Sequence, residues 1–253
     1  MIQVKSPREI DAMRRAGEIT GQALAEAKRI VAPGITTKQV DSALRRVIEK
    51  SGAIPAFLGY NGFPGAVCVS VNREVIHGIP GSRVLREGDI VSIDVGAVWN
   101  GFYGDAAATF PVGQVSDEAL RLIRVTRESF YQAAARAREG CRVSDISHAV
   151  QTHAEAAGYT LVREWTGHGV GSKLHEDPEV PNFGPPGHGP RLLRGMTIAV
   201  EPMVNAGSAA VRVLKDGWTV VTADGKLSAH YEHSILITAG EPELLTRWEE
   251  TPL

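Results

Sequence analysis

The 253 residues are 43% hydrophobic and 22% charged, an ordinary globular composition that excludes disorder, collagen-like repeats and low complexity. Twenty-seven Lys and Arg against twenty-nine Asp and Glu leave a formal charge of -2, so no global field draws the chain to nucleic acid or to an anionic membrane. Two cysteines, Cys68 and Cys141, are too few for a disulfide framework or a thiolate metal site, so any metal must be held by oxygen and nitrogen.

In chain order, the opening MIQVKSPREI carries Lys5, Arg8 and Glu9 where a secretory signal needs an apolar run, and no later stretch has the apolar length of a membrane span. A cytoplasmic location is the expectation. Ser6, with Pro7 behind it and Glu9 three residues on, forms a capping box; Ile10, Met13, Ile19 and Leu24 follow at helical spacing and predict a long first helix reaching Gly34. Thr36 with Gln39 opens a shorter helix bearing Val40, Leu44, Val47 and Ile48 on one face, stopped by Gly52. The same grammar then recurs. Ser116 opens a helix through Leu120, Ile123 and Phe130 to Gly140, and a further helix carries Ile146 and Val150 to Gly158.

Gly34 and Gly140 are 106 residues apart, as are Gly52 and Gly158. REGDIVSID, ending at Asp94, aligns with LRGMTIAVE, ending at Glu201, at a shift of 107. Such long-period self-similarity predicts an α+β chain built from a duplicated helix-helix-antiparallel sheet unit, its halves related by a pseudo-twofold axis. The halves span about 6–112 and 116–238 of a single catalytic domain covering 1–253, with the boundary between Val112 and Ser116. The Gly- and Pro-rich tracts from Leu58 to Gly65 and from Asn182 to Pro190 are expected as loops within the fold.

The chemistry concentrates in IVSIDVGAVWNGFYGDAAATF, two apolar-rich runs around Asn100-Gly101, the preferred pair for a two-residue hairpin turn. If Trp99 opposes Phe102, then Gly96 opposes Asp105 and keeps that face open, and Asp94 shares the face because side chains alternate with period two. The two carboxylates become diagonal neighbours with Cβ atoms roughly 7 Å apart, suited to sharing an ion. Neither face of this hairpin is polar, so unpaired acids there would be costly to bury and need a cation. Glu201 ends the strand TIAVE, and Glu232 lies in LSAHYEHSILIT after Asp224-Gly225, a second hairpin signal. Four carboxylates cannot all ionise in one dry pocket, whereas two divalent ions bring four positive charges against four negative ones. Charge arithmetic favours a dinuclear centre.

Three of the eight histidines, His148, His153 and His188, read as surface residues; His230 and His233 flank Glu232 without an assigned role. His168 differs. In WTGHGVG the flanking glycines let backbone crowd a metal centre and free the imidazole to add one nitrogen to four carboxylates. His175 follows seven residues later, and His77 sits in EVIHGIP near the matching position of the first half.

Together NREVIHGIP, GDIVSIDVG, NGFYGDAAATF, TGHGVG, LHEDPEVPN, MTIAVEPM and YEHSILIT resemble the methionine aminopeptidases of the pita-bread fold, over essentially the whole chain. Glu201 and Glu232 stand only 31 apart, which leaves no room for the insertion that marks the type II enzymes, so the resemblance is to type I. It implies a first metal on Asp94, Asp105 and Glu232 and a second on Asp105, His168, Glu201 and Glu232. The resemblance also implies removal of the initiator methionine from nascent proteins with a small second residue, by a metal-bridging hydroxide that attacks the scissile carbonyl. Glu201 would shuttle the proton, His175 would donate to the oxyanion, and His77 to the peptide nitrogen beyond the cleaved bond. Tyr60, Phe63, Cys68 and Trp218 would line the methionine pocket, while Phe57 and Leu174 stand where many bacterial relatives carry Cys and Phe.

The ions implied are two divalent metals, Co, Mn, Fe(II) or Zn. The implied partners are nascent polypeptide N-termini, with the ribosome a candidate contact, no nucleic acid or membrane bound directly, and a monomer as the family precedent. Two alternatives stand beside this reading. One is a proline-directed aminopeptidase or prolidase of the same fold; the other is a metal-free binding module, which the presence of all five ligands disfavours.

Overall fold

The structure is a computed structural model that describes residues 2–249. Both predicted capping boxes form. At the start of α1 (Pro7–Ile30) the Ser6 hydroxyl accepts the Glu9 N–H while the Glu9 carboxylate accepts the Ser6 N–H at 2.7 Å. Thr36 and Gln39 repeat the exchange at the start of α2 (Thr37–Lys50). α1 stops short of Gly34 because Val31 turns extended ahead of Pro33, whose ring disfavours helical backbone at Ala32.

Five strands follow: β1 (Ile54–Pro55), β2 (Val67–Val71), β3 (Glu74–Ile76), β4 (Ile90–Trp99) and β5 (Phe102–Pro111). Then come α3 (Asp117–Ala134) and α4 (Val143–Ala156). α3 ends before the predicted Gly140, and its continuation tightens into turns that bury Ala137 and deliver the Gly140 N–H to the Leu192 carbonyl at 2.9 Å. The remaining strands are β6 (Thr160–Leu161), β7 (Gly167–Gly169), β8 (Glu176–Val180), β9 (Thr197–Val200), β10 (Met203–Asn205), β11 (Val211–Val213), β12 (Val220–Thr222), β13 (Ser228–His230), β14 (Glu232–Leu236) and β15 (Glu243–Leu244).

Among the described residues a nine-stranded sheet runs β1-β4-β5-β14-β9-β7-β8, with β2 beside β4 and β15 beside β14. Its centre is the antiparallel pairing of β5 with β14, where an outgoing strand of the first half meets one of the second. The helices cover one face. α1 crosses β4 and β5 where Gly104 meets the backbone of Ala16 and Gly17, an approach a side chain at Gly104 would block, and the Thr20 hydroxyl donates to the Gly104 carbonyl at 3.2 Å. α3 packs on β5, β9 and β13. Ile19, Leu24, Leu44, Phe130 and Ile146 thus join Val91, Ile93 and Val95 in one apolar core, whose burial is the main source of stability. No helix among the described residues is long and apolar enough to cross a membrane.

The β4–β5 hairpin has the predicted register, Trp99 against Phe102 and Gly96 against Asp105. Asn100 and Gly101 both take left-handed φ, 49° and 79°, as this turn requires. Asp224-Gly225 does not make a hairpin. β12 pairs with β11 and β3, and β13 pairs with β10, so the flanking strands lie in different sheets. The turn between β2 and β3 intrudes: the carbonyls of Arg73 and Asn72 accept the N–H groups of Thr222 and Ser228 that a hairpin would have paired.

Candidate active site

Strand register assembles the floor of a cavity on the face away from the helices. Cys68 of β2 pairs with Asp94, Asp94 with Ala107 of β5, and Ala107 with Glu232 of β14. Glu201 follows Val200, the partner of His233, and so falls beside Glu232. A second row runs from Gly96 through Asp105, Ser234 and Ala199 to His168. Ser234 locks the centre of that row, its hydroxyl accepting the Asp105 N–H at 3.0 Å and donating to the Asp105 carbonyl at 2.9 Å. Residues two apart share a face, so both rows project the same way. Small residues, Ala107, Ser234 and Ala199, separate the acids and leave the space between them unfilled.

The five predicted ligands therefore converge. His168 Nε2 lies 3.4 Å from Glu201 Oε1 and 3.8 Å from Asp105 Oδ2. Asp105, His168 and Glu232 bring one ligand atom each within 4.8 Å of one another. His168 Nδ1 is 2.9 Å from the Gly169 carbonyl, which can only accept, so Nδ1 carries the proton and Nε2 presents its lone pair to the acids. The glycines around His168 serve a purpose other than the one expected from the sequence. A side chain at Gly167 would strike the Ala199 carbonyl and one at Gly169 the Asp177 carbonyl, so they let β7 lie tightly between its neighbours. Gly96 likewise does not leave its face open. Ala56 and Phe57 pack into the space its missing side chain vacates.

The electrostatics of this floor suits a cation. Burial first, then mutual repulsion, pushes the carboxyls of Asp94, Glu201 and Glu232 well above the ordinary range, and burial raises Asp105 to about 7. Burial lowers His168 to about 3 and His230 to about 3, keeping both imidazoles neutral. Asp94 stays partly open toward the cavity, yet its Oδ1, with Asp105 Oδ1 and Glu232 Oε1, is sealed from solvent without a hydrogen-bond partner. Buried polar atoms are normally satisfied. Divalent cations among these oxygens would satisfy them and relieve the repulsion together, so the residues present fit such ions.

The cavity above the floor has a volume of about 350 Å³. Tyr60, Phe63, Cys68 and Trp218 line it, as do His77 and His175. Phe63 meets Trp218 edge-on with ring centroids 5.1 Å apart, and Phe57, Cys68 and Leu174 join them in a small apolar cluster of their own. The His175 ring lies 4.3 Å from that of His168, and its Nδ1 is 2.8 Å from the Tyr60 hydroxyl. His77, lowered to about 4 by burial and then by His175, has a left-handed φ of 59° and packs edge-on against Trp165 at 5.3 Å.

Residues 11–239 match the sequence model of metallopeptidase family M24. A protein named methionine aminopeptidase 1 from Bacillus subtilis is 56% identical over 98% of this chain and 100% of its own length. The chain belongs to metallopeptidase family M24, among its methionine aminopeptidases. The crystal structure of a methionine aminopeptidase from Thermotoga maritima superposes with a TM-score of 0.96 at 48% identity, covering 98% of this chain and 100% of that one. A prolidase from Pyrococcus furiosus shares the fold at a TM-score of 0.79, with 22% identity, 98% of this chain and 66% of that one covered. The fold is thus the pita-bread fold, and M24 membership brings the use of divalent metal.

Several residues of this M24 chain reach the site without having been assigned to it from sequence, Trp165, Asn182 and His230 among them. Trp165 lines the cavity beside His77, three positions before His168 in the same motif. Asn182, almost fully buried, donates its side-chain N–H to the Glu201 backbone carbonyl at 3.0 Å and fixes the strand end that presents the carboxylate. His230 faces Glu201 and Glu232, sharing the even-numbered parity of Glu232 and Ser234, a signal available in the sequence. His233 belongs to the scaffold, bonded to Tyr231 and Thr246. His148 and His188 are exposed, and His153 is half-buried beside Glu128.

Proposed function

We propose that this chain is an aminopeptidase that removes the initiator methionine from polypeptides whose second residue is small. One observation chiefly supports this, the two rows of acids and imidazole that form the floor of a cavity with aromatic and aliphatic walls. Asp94, Asp105 and Glu232 would hold one divalent ion and Asp105, His168, Glu201 and Glu232 a second, drawn from Co, Mn, Fe(II) or Zn. When bound, such ions supply Lewis-acid polarisation of the scissile carbonyl and acidify a water nucleophile.

The remaining work falls to the chain's own side chains. Glu201, a base strengthened by burial, takes a proton from the attacking water and returns it to the leaving amine. The Tyr60 hydroxyl donates to His175 Nδ1, which selects the tautomer whose Nε2–H donates to the carbonyl oxygen as charge develops there. His77, neutral at working pH, donates to the nitrogen of the second residue as attack on the carbonyl makes that nitrogen pyramidal and frees its lone pair. Phe57, Phe63, Leu174 and Trp218 offer an uncharged slot that an unbranched thioether side chain fills. Cys68 adds an uncharged wall, because burial and the nearby acids push its thiol up. The indoles of Trp165 and Trp218 flank His77 and limit the size of the second residue.

The residues 1–253 act as one catalytic unit of two related halves, about 6–112 and 116–238, each supplying two of the four acids. The protein works as a cytoplasmic monomer on nascent chains; its near-neutral net charge offers no attraction to ribosomal RNA, so ribosome contact would rest on local patches. Hydrolysis of Met-Ala-Ser, Met-Val-Ser and Xaa-Pro peptides across added Co, Mn, Fe(II) and Zn tests the reading. It expects release of methionine with a preference for alanine as second residue. Cleavage of Xaa-Pro peptides with none of Met-Ala-Ser would overturn it in favour of a proline-directed enzyme.

A further inference from the structure

The five predicted ligands do not exhaust the metal-ligating groups at the floor. His230, the last residue of β13, is 2% exposed, and its Nε2 is sealed from solvent with no hydrogen-bond partner. That nitrogen lies 3.7 Å from Glu232 Oε2 and 3.8 Å from Glu201 Oε2. Asp94, His230 and Glu232 offer ligand atoms that all fall within 4.8 Å of one another, the counterpart of the Asp105, His168 and Glu232 set on the other side of the same carboxylate. The backbone that carries the imidazole is pinned. Thr109 Oγ1 accepts the His230 N–H and donates to the His230 carbonyl, both at 2.9 Å, and Ser92 Oγ lies 2.7 Å from that hydroxyl.

The separations are informative in themselves. They are too long for hydrogen bonds, and they match those of His168, 3.4 Å and 3.8 Å from its own carboxylate neighbours. Two ligands bonded to one ion at roughly 2.0–2.2 Å each, at an open angle, stand about this far apart. His230 therefore holds the relation to Glu232 and Glu201 that His168 holds to Asp105 and Glu201.

We propose that His230 is a further side-chain ligand of the metal centre, joining Asp94, Asp105 and Glu232 on the first ion as His168 joins Asp105, Glu201 and Glu232 on the second. The assignment rests on the dinuclear reading given above and extends it. It gives each ion one nitrogen, and it has a consequence for ion choice. Imidazole ligation favours Fe(II), Co or Zn, whereas an all-carboxylate first site suits Mn, so His230→Gln is expected to shift relative affinity toward Mn.

The test uses the full chain, freed of metal and reloaded with Co(II). In ¹H NMR of the wild-type protein with two equivalents bound, two strongly shifted, solvent-exchangeable imidazole N–H signals are expected, one lost in His168→Ala and the other in His230→Ala. Co(II) titration followed by visible absorption should show one of the two equivalents binding about tenfold or more weakly in His230→Gln. Co(II) uptake by the wild type with a single imidazole signal, lost in His168→Ala, overturns the assignment of His230 alone. Failure of the wild type to take up Co(II) overturns the whole centre and this ligand with it. Should His230→Ala fail to fold, the wild-type signal count and His230→Gln decide the matter.

Discussion

The corner where α2 meets β2 and the floor of the cavity both bury aspartate, and they treat it in opposite ways. Asp41 has its charge answered from within: the Ala66 N–H at 2.7 Å, the Val67 N–H at 3.3 Å and the Lys38 ammonium at 2.7 Å all point at its oxygens. Glu176 behaves similarly. Burial alone would raise its carboxyl, but the Lys5 ammonium at 2.6 Å and the Lys173 N–H outweigh burial and hold it below its ordinary range. Asp94, Asp105 and Glu232 keep sealed oxygens with nothing to accept from. A buried carboxylate that the protein satisfies is scaffold; one that it leaves unsatisfied, among others of like charge, is shaped for something that arrives from outside.

Substitution on each side should separate these roles. The largest effect is expected at Glu201→Gln, which removes the proposed proton carrier. Turnover of Met-Ala-Ser at saturating metal should fall roughly 10²–10⁴-fold, while the melting temperature of the metal-free protein stays level or rises because one repelling acid is gone. Equal turnover in the variant would deny Glu201 that role. Asp41→Ala should do the reverse. It strands two backbone donors and costs about 2–4 kcal/mol by denaturant titration, with kcat on the folded fraction unchanged; a large fall in kcat would erase the distinction.

The metal-free protein should show the same contrast as pH is varied. The four floor carboxyls have raised values in the fold, so the native state holds protons that the unfolded chain has released, and this stabilisation is lost as pH rises through the folded values, near 7 for Asp105. Below about 6.5 the lowered imidazoles of His77, His168 and His230 oppose the trend, since each charges more readily in the unfolded chain. Melting temperature without metal should therefore decline chiefly above pH 6.5, and bound divalent ions should flatten that decline. A metal-free protein that gains stability between pH 6.5 and 8 would contradict the account of the floor. The smallest effect is expected at Tyr60→Phe. Loss of one hydrogen bond to His175, worth about 1 kcal/mol, should lower kcat/KM roughly fivefold with little change in metal affinity. An unchanged kcat/KM would free His175 from dependence on Tyr60.

The features legible in the sequence follow from local rules. Asn100-Gly101 admits one tight turn, that turn sets the β4–β5 register, and the register places Asp94 diagonal to Asp105 with no tertiary information. The two capping boxes fixed helix starts in the same way. Asp224-Gly225 looked equivalent but is not, because the outcome there depends on the β2–β3 turn, far away in sequence, whose carbonyls claim the N–H groups on both sides. Gly96 shows the same limit: a missing side chain leaves room, and only packing decides that Phe57 takes it. Trp165 and Asn182 went unassigned because each acts through a tertiary neighbour, His77 and the Glu201 carbonyl, rather than through a spacing.

The convergence of acids from β4, β5, β14 and the end of β9 into a floor that fits the proposed pair of cations carries everything else. Anomalous diffraction from crystals of the Mn(II)-loaded protein tests it directly. Two strong peaks are predicted, both bounded by Asp94, Asp105, His168, Glu201 and Glu232, with Glu232 and Asp105 touching each. Peaks elsewhere, or none at this floor in crystals grown with excess Mn(II) and repeated with Co(II), would contradict it.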